Sequence, residues 1–414
     1  MSAGNLAVLF LGLLIVTQVN AATITITSPN PNPYVQGAGQ FGASVVSANG
    51  LLIVGAPFEA VNRILYAGRA YVFNATTGSL MEALVSPNAQ EEGRFGASLS
   101  FADDRLIVGA PSETVNGLAE AGRAYVFNAA TGFLIDTLVS PNPVGRGFYA
   151  GGGFGASVAL GDGLMIVGAP REIVNRLSLA GRAYVFSATT DALTDALVSP
   201  NPEGNGYFTG GFFGSSVALA NGRVIVGAPG ETVNGFANAG RAYVFSPTTG
   251  SLTGTLVSPN ANPDDGAVFA GGRFGASVTS TNGRVVVGAP DETVNGTGLA
   301  GRVYVFSAAT DSLMRTLVSP NVQLFGRFGD SIALANGHVI VGADEETVNG
   351  VVEGGRAYIF NAATGSLIRT LVSLNNEVGG FFGASVALAN GHVIIGAPDE
   401  TVNGLAFVGR VYIF

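Results

Sequence analysis

The stretch of sequence that decides the fold is FGSSVALANGRVIVGAPGETVNGFANAGRAYVF, residues 213–245, followed by LTGTLVSPN at residues 252–260. It contains four short apolar segments separated by turn-forming residues. The pair Asn221-Gly222 favours a two-residue hairpin, and the Pro of Gly-Ala-Pro ends the second segment because proline cannot donate to a β-ladder. The third segment is apolar on both faces, which is typical of a strand buried between two sheets. The stretch therefore predicts four β-strands and no helix.

The same phrase recurs seven times along the chain. In each copy the Gly of the Gly-Ala-Pro phrase lies 14 residues after the Phe of Phe-Gly, and the Arg of the third strand lies 28 residues after it. Seven four-stranded units predict an all-β chain folded as a seven-bladed β-propeller. The copies begin at Phe41, Phe95, Phe154, Phe213, Phe274, Phe328 and Phe382, at intervals of 54, 59, 59, 61, 54 and 54 residues.

The two ends of the chain indicate how the ring closes. The seventh copy stops at Phe414, after its third strand, whereas residues 23–30 read TITITSPN and match the LVSPN end of the fourth strands. We therefore expect the N-terminal strand to complete blade seven and residues 22–414 to form one domain. A linear β-solenoid is the alternative, but it would need polar caps at its ends, and the sequence has none.

The N-terminus reads as a targeting segment. Residues 6–16, LAVLFLGLLIV, form an apolar run of signal-peptide length, and Val19-Asn20-Ala21 supplies the small residues of a cleavage site. We expect residues 1–21 to be a cleaved signal peptide and the mature chain to be secreted, without a transmembrane segment. An uncleaved anchor or a buried strand is the alternative.

Composition excludes several classes of function. The chain of 414 residues has no Cys, and its 19 basic residues are all Arg against 28 acidic ones, for a net charge of −9. Disulfides, thiolate nucleophiles, cysteine zinc sites and lysine Schiff bases are thereby excluded. The acidic balance argues against a nucleic-acid partner. The sequence predicts no cofactor.

In the phrases Phe-Gly-Ala-Ser-Val, Val-Gly-Ala-Pro and Gly-Arg-Ala-Tyr-Val-Phe the sequence resembles the FG-GAP repeat family, found in integrin α-chain heads and in many secreted prokaryotic proteins. The resemblance covers about residues 22–414. It implies a seven-bladed propeller with the Phe-Gly strand innermost. It also implies that the connections between strands 2 and 3, and between strand 4 and the next strand 1, share the ligand-binding face.

One feature of integrin heads is missing. Several of their blades carry an Asp-x-Asp-x-Asp-Gly calcium loop between strands 1 and 2, where this chain has tight turns such as Asn49-Gly50 and Asp103-Asp104. Calcium takes six to eight oxygen ligands, and these turns offer at most two carboxylates. We therefore expect no metal site in them.

A Glu and, ten residues later, an Arg recur in every copy, with an Asn three residues after the Glu. Because seven Glu and seven Arg cancel in charge, we expect each Glu to pair with an Arg of its own or the adjacent blade, in a structural ring, while the Asn bonds loop backbone. A ring of carboxylates that binds a cation or a basic ligand is the alternative. The ring consists of Glu59, Glu113, Glu172, Glu231, Glu292, Glu346 and Glu400 with Arg69, Arg123, Arg182, Arg241, Arg302, Arg356 and Arg410.

All variation in length falls between the fourth strand and the next Phe-Gly. From the Ser that ends Leu-Val-Ser (Ser28 in the N-terminal strand), this distance is 13, 9, 14, 14, 16, 9 and 9 residues. Loops that vary on a rigid scaffold commonly carry binding sites, and aromatic rings in them suit a protein hot spot or a sugar. Plugs that fold over the propeller mouth are the alternative. The candidate ligand-binding residues are Tyr34, Phe148, Tyr149, Tyr207, Phe208, Asp264, Asp265 and Phe269.

These observations favour a secreted or cell-surface, non-enzymatic propeller of the cell-adhesion and recognition type. We expect it to bind an extracellular protein through its 4–1 and 2–3 loops. A lectin-like glycan binder and a structural matrix component are the alternatives. An enzyme with its site at the central mouth is disfavoured, since the sequence offers no unique constellation of His, Asp and Glu. The sequence leaves the oligomeric state open.

Overall fold

The computed structural model describes residues 24–31, 39–145, 150–204, 210–260, 271–281, 283–389 and 391–414, which form 28 strands. In these ranges no helix is long and apolar enough to cross a bilayer. The strands are β1 (Ile24–Thr27); β2 to β5 (Ser44–Ala48, Leu51–Ala56, Arg69–Asn74, Leu80–Val85); β6 to β9 (Ser98–Ala102, Arg105–Ala110, Arg123–Asn128, Leu134–Leu138); β10 to β13 (Ser157–Gly161, Leu164–Ala169, Arg182–Ser187, Leu193–Leu197); β14 to β17 (Ser216–Ala220, Arg223–Ala228, Arg241–Phe245, Leu252–Leu256); β18 to β21 (Ser277–Thr281, Arg284–Ala289, Arg302–Ser307, Leu313–Val318); β22 to β25 (Ile332–Ala335, His338–Ala343, Arg356–Asn361, Leu367–Val372); and β26 to β28 (Ser385–Ala389, His392–Ala397, Arg410–Ile413).

The strands form seven antiparallel sheets of four, each of which is one blade, and in six of them the strands follow chain order. Blade seven has the order β1-β28-β27-β26, so the N-terminal strand supplies its fourth strand, with Ile24 opposite Ile413 and Thr27 opposite Arg410. The first strands of neighbouring blades contact each other around the whole ring, including β26 with β2. The structure thus confirms a closed seven-bladed propeller with the Phe-Gly strand innermost.

The hydrophobic core consists of seven layers, one between each pair of neighbouring blades. In the layer between blades seven and one, Ile26 and Val411 of one blade pack with Phe41 and Tyr71 of the next. The Phe41 ring lies 5.8 Å from Tyr71 and 5.9 Å, edge to face, from Phe73. Because both faces of a blade are apolar, each blade depends on two neighbours to remove them from water.

A hydrogen bond repeated at every interface joins the inner strands. Ser44 Oγ donates to the carbonyl of Gly96 in the next blade at 2.8 Å. A Cβ at Gly55 would lie 2.1 Å from that carbonyl and 2.3 Å from Ser44 Oγ, which explains the Gly of Gly-Ala-Pro. Ser385 donates to Gly42 at 2.7 Å and closes the circle. The other five bonds are Ser98 to Gly155, Ser157 to Gly214, Ser216 to Gly275, Ser277 to Gly329 and Ser331 to Gly383.

The hairpins between strands 1 and 2 have the predicted geometry. Asn49 and Gly50 have φ of 51° and 77°, the left-handed values of a type I′ turn. Since successive strands are antiparallel, these turns and the 3–4 turns lie on one face of the ring, here named the turn face. The 2–3 and 4–1 connections lie on the opposite face, here named the loop face.

We expect Ile26→Ala to lower the free energy of unfolding by about 2–5 kcal/mol, because it leaves a cavity in the layer that closes the ring. Urea denaturation measures the change. The matched control is Thr25→Ala on the same strand, whose side chain is exposed and which we expect to cost no more than about 0.5 kcal/mol. Equal effects of the two variants would show that β1 does not seal the ring in solution.

Candidate functional site

The eight loop residues predicted to bind ligand, Tyr34, Phe148, Tyr149, Tyr207, Phe208, Asp264, Asp265 and Phe269, all lie outside the described residues. The described residues do show how two of these loops leave the ring. Antiparallel bridges pair Val144 with Gly151 and Gly204 with Gly210. In the connections into blades three and four, the two ends of the loop are therefore paired with each other on the loop face. The aromatic residues fall between these paired positions in the sequence.

The recurring Glu lies at the base of each 2–3 connection, at the interface between two blades. Glu113 accepts hydrogen bonds from Ser86 (2.5 Å), which directly follows the fourth strand of the preceding blade, and from Tyr125 (2.6 Å) of its own blade. Arg123 Nη1 lies 3.0 Å from the same carboxylate. The seven clusters, in the order Ser, Glu, Tyr, Arg, are Ser28, Glu59, Tyr71, Arg69; Ser86, Glu113, Tyr125, Arg123; Ser140, Glu172, Tyr184, Arg182; Ser199, Glu231, Tyr243, Arg241; Ser258, Glu292, Tyr304, Arg302; Ser319, Glu346, Tyr358, Arg356; and Ser373, Glu400, Tyr412, Arg410.

Each Arg thus lies near the Glu of its own blade, at 3.0–3.5 Å, and the Ser and Tyr partners are additions that the sequence reasoning missed. In six clusters the Ser donates to the Glu, whereas in blade five Ser258 donates to Tyr304, at 3.0 Å. In the sequence, the fixed spacing of Leu-Val-Ser and of Arg-Ala-Tyr could have indicated these Ser and Tyr partners. These bonds engage the carboxylates from within the protein, which supports a structural role over cation binding.

Burial sets the protonation of these clusters. It raises the pKa of Glu59 and Glu292 to about 7 and that of Glu172, Glu231 and Glu400 above the ordinary value. The Tyr hydrogen bonds, the Arg charge and, outside blade five, the Ser hydrogen bonds act in the opposite direction. Burial and the neighbouring Glu also raise the pKa of all seven Tyr, that of Tyr243 to about 12. The phenols therefore stay protonated and donate to the carboxylates.

The recurring Asn serves a purpose other than the expected one. Asn62 has φ of 51° and lies in a two-residue turn in which Val61 and Ile64 exchange backbone hydrogen bonds of 3.0 and 2.9 Å. All seven Asn have φ between 51° and 53°. Asn tolerates this left-handed conformation better than most residues. Among the residues that the structure describes, the backbone of the turn, and not the Asn amide, makes the recurring hydrogen bonds.

The inner end of the loop face carries a ring of residues that varies from blade to blade. Its members precede each Phe-Gly or follow each Gly-Ala-Pro, and several join neighbouring blades. Gln40 donates to Asp399 at 2.9 Å, and the Arg94 guanidinium lies 5.1 Å from the Phe58 ring centroid. Because these residues border the innermost strands, they surround the mouth of the propeller. We name them the mouth ring.

Blades five to seven make the mouth ring acidic. Arg327 Nη1 lies 2.8 Å from Glu345, and its Nε lies 3.4 Å from Asp291 of blade five. Arg273 lies 3.8 Å from the same Asp291. With Asp399, and with the two carboxylates of blade six described next, this sector holds more acidic than basic groups.

Blade six departs from the repeat at two positions. Asp330 stands where the other copies have Ala or Ser, and Asp344 stands where the other six have Pro, so the Gly-Ala-Pro phrase is incomplete there. Asp344 is 8% exposed, and its Oδ1 has no hydrogen-bond partner among the described residues. Burial raises the pKa of Asp344 well above its ordinary value, and the Asp330 and Glu345 carboxylates raise it further. A position-by-position comparison of the seven copies in the sequence could have revealed both replacements.

The described residues contain no group of three or more His, Asp or Glu side chains that could hold a metal ion. On the turn face, a cavity of about 520 Å³ is lined by polar groups of blades three to six, including Asp162 and Arg284. Its described lining has a single carboxylate and no histidine. It therefore lacks the pair of titratable groups that general acid–base catalysis commonly uses.

We expect the wild-type chain to lose stability as the pH rises, and Glu59→Gln to weaken this dependence. A carboxyl with a raised pKa in the folded state contributes stability that is complete below about pH 4.5 and is lost as the pH rises through about 7. Each unit of pKa shift corresponds to about 1.4 kcal/mol. Urea denaturation between pH 5 and 8 measures the slope. Glu82→Gln, at an exposed position, is the control, and an unchanged slope in Glu59→Gln would contradict the assignment.

We expect the double variant Asp330→Ala, Asp344→Pro, which restores the repeat sequence in blade six, to raise the free energy of unfolding at neutral pH by about 1–3 kcal/mol. It removes a buried carboxyl without a partner. The gain should shrink at low pH, because Asp344 is protonated there and costs less to bury. Glu91→Ala, an exposed change on the same face, is the control. No gain at neutral pH would show that Asp344 has a compensating partner in solution.

Comparison with known proteins matches two parts of the chain to one family. The model of the FG-GAP repeat matches residues 79–127 and 208–245. No curated protein matches the chain. The matched segments fall in blades one, two and four and span strands of the same four-stranded unit that recurs around the ring. The repeat match and the closed ring of seven such units together support an FG-GAP repeat β-propeller.

Proposed function

We propose that this chain is a secreted or cell-surface, non-enzymatic propeller that binds an extracellular protein through the 4–1 and 2–3 connections of its loop face. The observation that carries the proposal is the contrast between a nearly identical body and a varied loop face. The inner bonds repeat at all seven interfaces, whereas the mouth ring and the connecting loops differ from blade to blade. Binding surfaces commonly combine a rigid scaffold with variable loops.

The chemistry of the loop face supports a protein partner. The mouth ring contains three Phe, at positions 58, 212 and 381, and the guanidinium of Arg94, and its acidic groups lie in blades five to seven. Aromatic and Arg side chains are enriched in protein hot spots. The acidic sector suits a partner that presents basic side chains, because complementary charges speed association and fix its orientation.

Two further observations support the non-enzymatic and extracellular parts of the proposal. Propellers of FG-GAP repeats are generally non-enzymatic and typically extracellular. The N-terminal residues 1–21 also read as a cleaved signal peptide, which would leave residues 22–414 as the mature propeller. The recurring Glu and Arg clusters then hold the blades together and leave recognition to the loops.

The test compares two double variants of the mature chain. In Tyr149→Ala, Tyr207→Ala, the proposed contact residues are truncated; in Asp103→Asn, Asp104→Asn, an exposed hairpin on the turn face is changed. We expect a partner isolated on the wild-type chain from native extracellular material to bind the first variant at least about tenfold more weakly. The second variant should bind as the wild type does, and equal binding of both would reject the loop assignment.

A glycan array screened with the same proteins, with and without a calcium chelator, separates the alternatives. Sugar binding that depends on Tyr149 and Tyr207 would replace the protein partner with a glycan. Chelator-sensitive binding would reveal a calcium site that the tight 1–2 turns do not predict. A blank array together with a captured protein would support the proposal, and a blank in both assays would favour a structural matrix component.

A further inference from the structure

The outer rim of the ring consists of seven edge strands. The fourth strand of each blade is the last in its sheet, so its outer backbone groups have no partner strand within the described part of the chain. Exposed edges of this kind are commonly protected by lysines, prolines or bulges, because they can pair with another chain. This chain has no lysine, and in blades one to six the register between the third strand and the edge strand shifts as at a bulge. The charges that do occur on the edge strands are therefore informative.

One position of the edge strand carries all of these charges. It is the residue opposite the Val or Ile at the centre of the third strand, here named the rim position. In chain order from blade one it is occupied by Glu82, Asp136, Asp195, Gly254, Arg315, Arg369 and, in blade seven, Ile24.

The rim position is segregated by sign. Blades one to three are acidic there and blades five and six are basic, while blade four has Gly254 and blade seven has Ile24. Because the ring is closed, blade four separates the acidic blades from the basic blades on one side, and blade seven separates them on the other. The propeller is therefore a disc with an acidic arc, blades one to three, and a basic arc, blades five and six.

None of the five charged rim residues has an ion-pair partner among the described residues. Asp136 and Asp195 accept only from the backbone amides of the next residue, at 2.8 and 2.7 Å. Arg315 donates to the carbonyl of Met314 at 2.6 Å. The Arg369 guanidinium lies 5.9 Å from the Phe414 ring centroid, and its Nε has no hydrogen-bond partner in the described chain. By contrast, all seven Arg of the recurring clusters lie near a carboxylate.

Both arcs also expose apolar side chains beside the charges. In the acidic arc Phe133 is 75% exposed and Met81 is 51% exposed, and in the basic arc Ile368 is 51% exposed. Leu80 and Leu367, at equivalent positions of the two arcs, are both exposed. Contiguous exposed apolar groups next to unpaired charges are typical of interaction surfaces.

We propose that copies of this chain associate rim to rim, with the acidic arc of one copy against the basic arc of the next. A second copy is the occupant that fits, because the complement of each arc is present on the same molecule. The contact joins two different surfaces, so it leaves one free arc at each end of a pair and can continue into an open chain. The association is separate from the loop face and does not depend on the function proposed above.

The expected association is weak and sensitive to salt. Exposed ion pairs contribute little each and are screened as ionic strength rises, and the net charge of −9 opposes the approach of two copies. Sedimentation velocity of the full mature chain at about 20 mM and about 500 mM salt measures it. We expect concentration-dependent association at the lower salt and its reduction at the higher. A chain that stays monomeric at both would overturn the proposal.

Charge reversal tests which surfaces meet. Glu82→Arg with Asp136→Arg makes the acidic arc basic, and Arg315→Glu with Arg369→Glu makes the basic arc acidic. We expect each variant alone to associate about tenfold more weakly than the wild type. An equal mixture of the two variants should associate again, since each then offers the surface that the other lacks. A mixture no more associated than its components would overturn the pairing of the arcs.

Matched controls carry the same changes in charge away from the rim. Glu91→Arg with Glu92→Arg, and Arg63→Glu with Arg176→Glu, alter exposed residues of the loop face by the same number of charges. We expect both to associate as the wild type does; a loss equal to that of the arc variants would assign the effect to net charge and reject the arcs. If a reversal variant does not fold, Arg315→Gln with Arg369→Gln replaces it, with an expected intermediate loss.

Discussion

The structure depends on packing between blades. A single blade is apolar on both faces of its second and third strands, so it cannot bury either face by itself. Each of the seven core layers belongs to two blades, and none can be completed without its neighbour. Ring closure is therefore a requirement of burial. The N-terminal strand meets it by adding Ile26 to the layer between blades seven and one.

The polar groups at the interfaces follow from the same constraint. A carboxylate buried between blades is costly unless hydrogen bonds and a counter-charge compensate it. Each Glu receives them from both sides of an interface: in most clusters a Ser of the preceding blade, and a Tyr and an Arg of its own. These contacts add geometric specificity to the apolar layers, because the Ser and the Glu meet only when two blades are correctly aligned. They fix the base of the loop face on which the proposed partner would bind.

In a molecule of seven similar units, the departures from the repeat are more informative than the repeat itself. Asp330 and Asp344 place two carboxylates in blade six where the other copies need none, and one of them is buried. The rim position changes from Glu and Asp to Arg across the ring while the strand around it is retained. Neither departure is required by the packing of the blades, and the rim charges can serve contacts outside the ring, whereas Asp344 is buried.

The sequence by itself determined the strands, the hairpins and the number of blades, because these depend on local patterns: the alternation in Arg241 to Phe245, the turn at Asn49-Gly50 and the spacing of Phe-Gly. It also predicted that Glu59 pairs with an Arg of its own or the adjacent blade, and the structure showed that this partner is Arg69. Only the tertiary structure showed that Ser28 lies in the cluster of Glu59 and that Asp344 is buried without a partner among the described residues. It also showed that the acidic and the basic rim residues lie on opposite sides of the ring. These relations join residues of different blades. They exist only once the ring is closed, and no local pattern in the sequence shows which residues of different blades will lie close together.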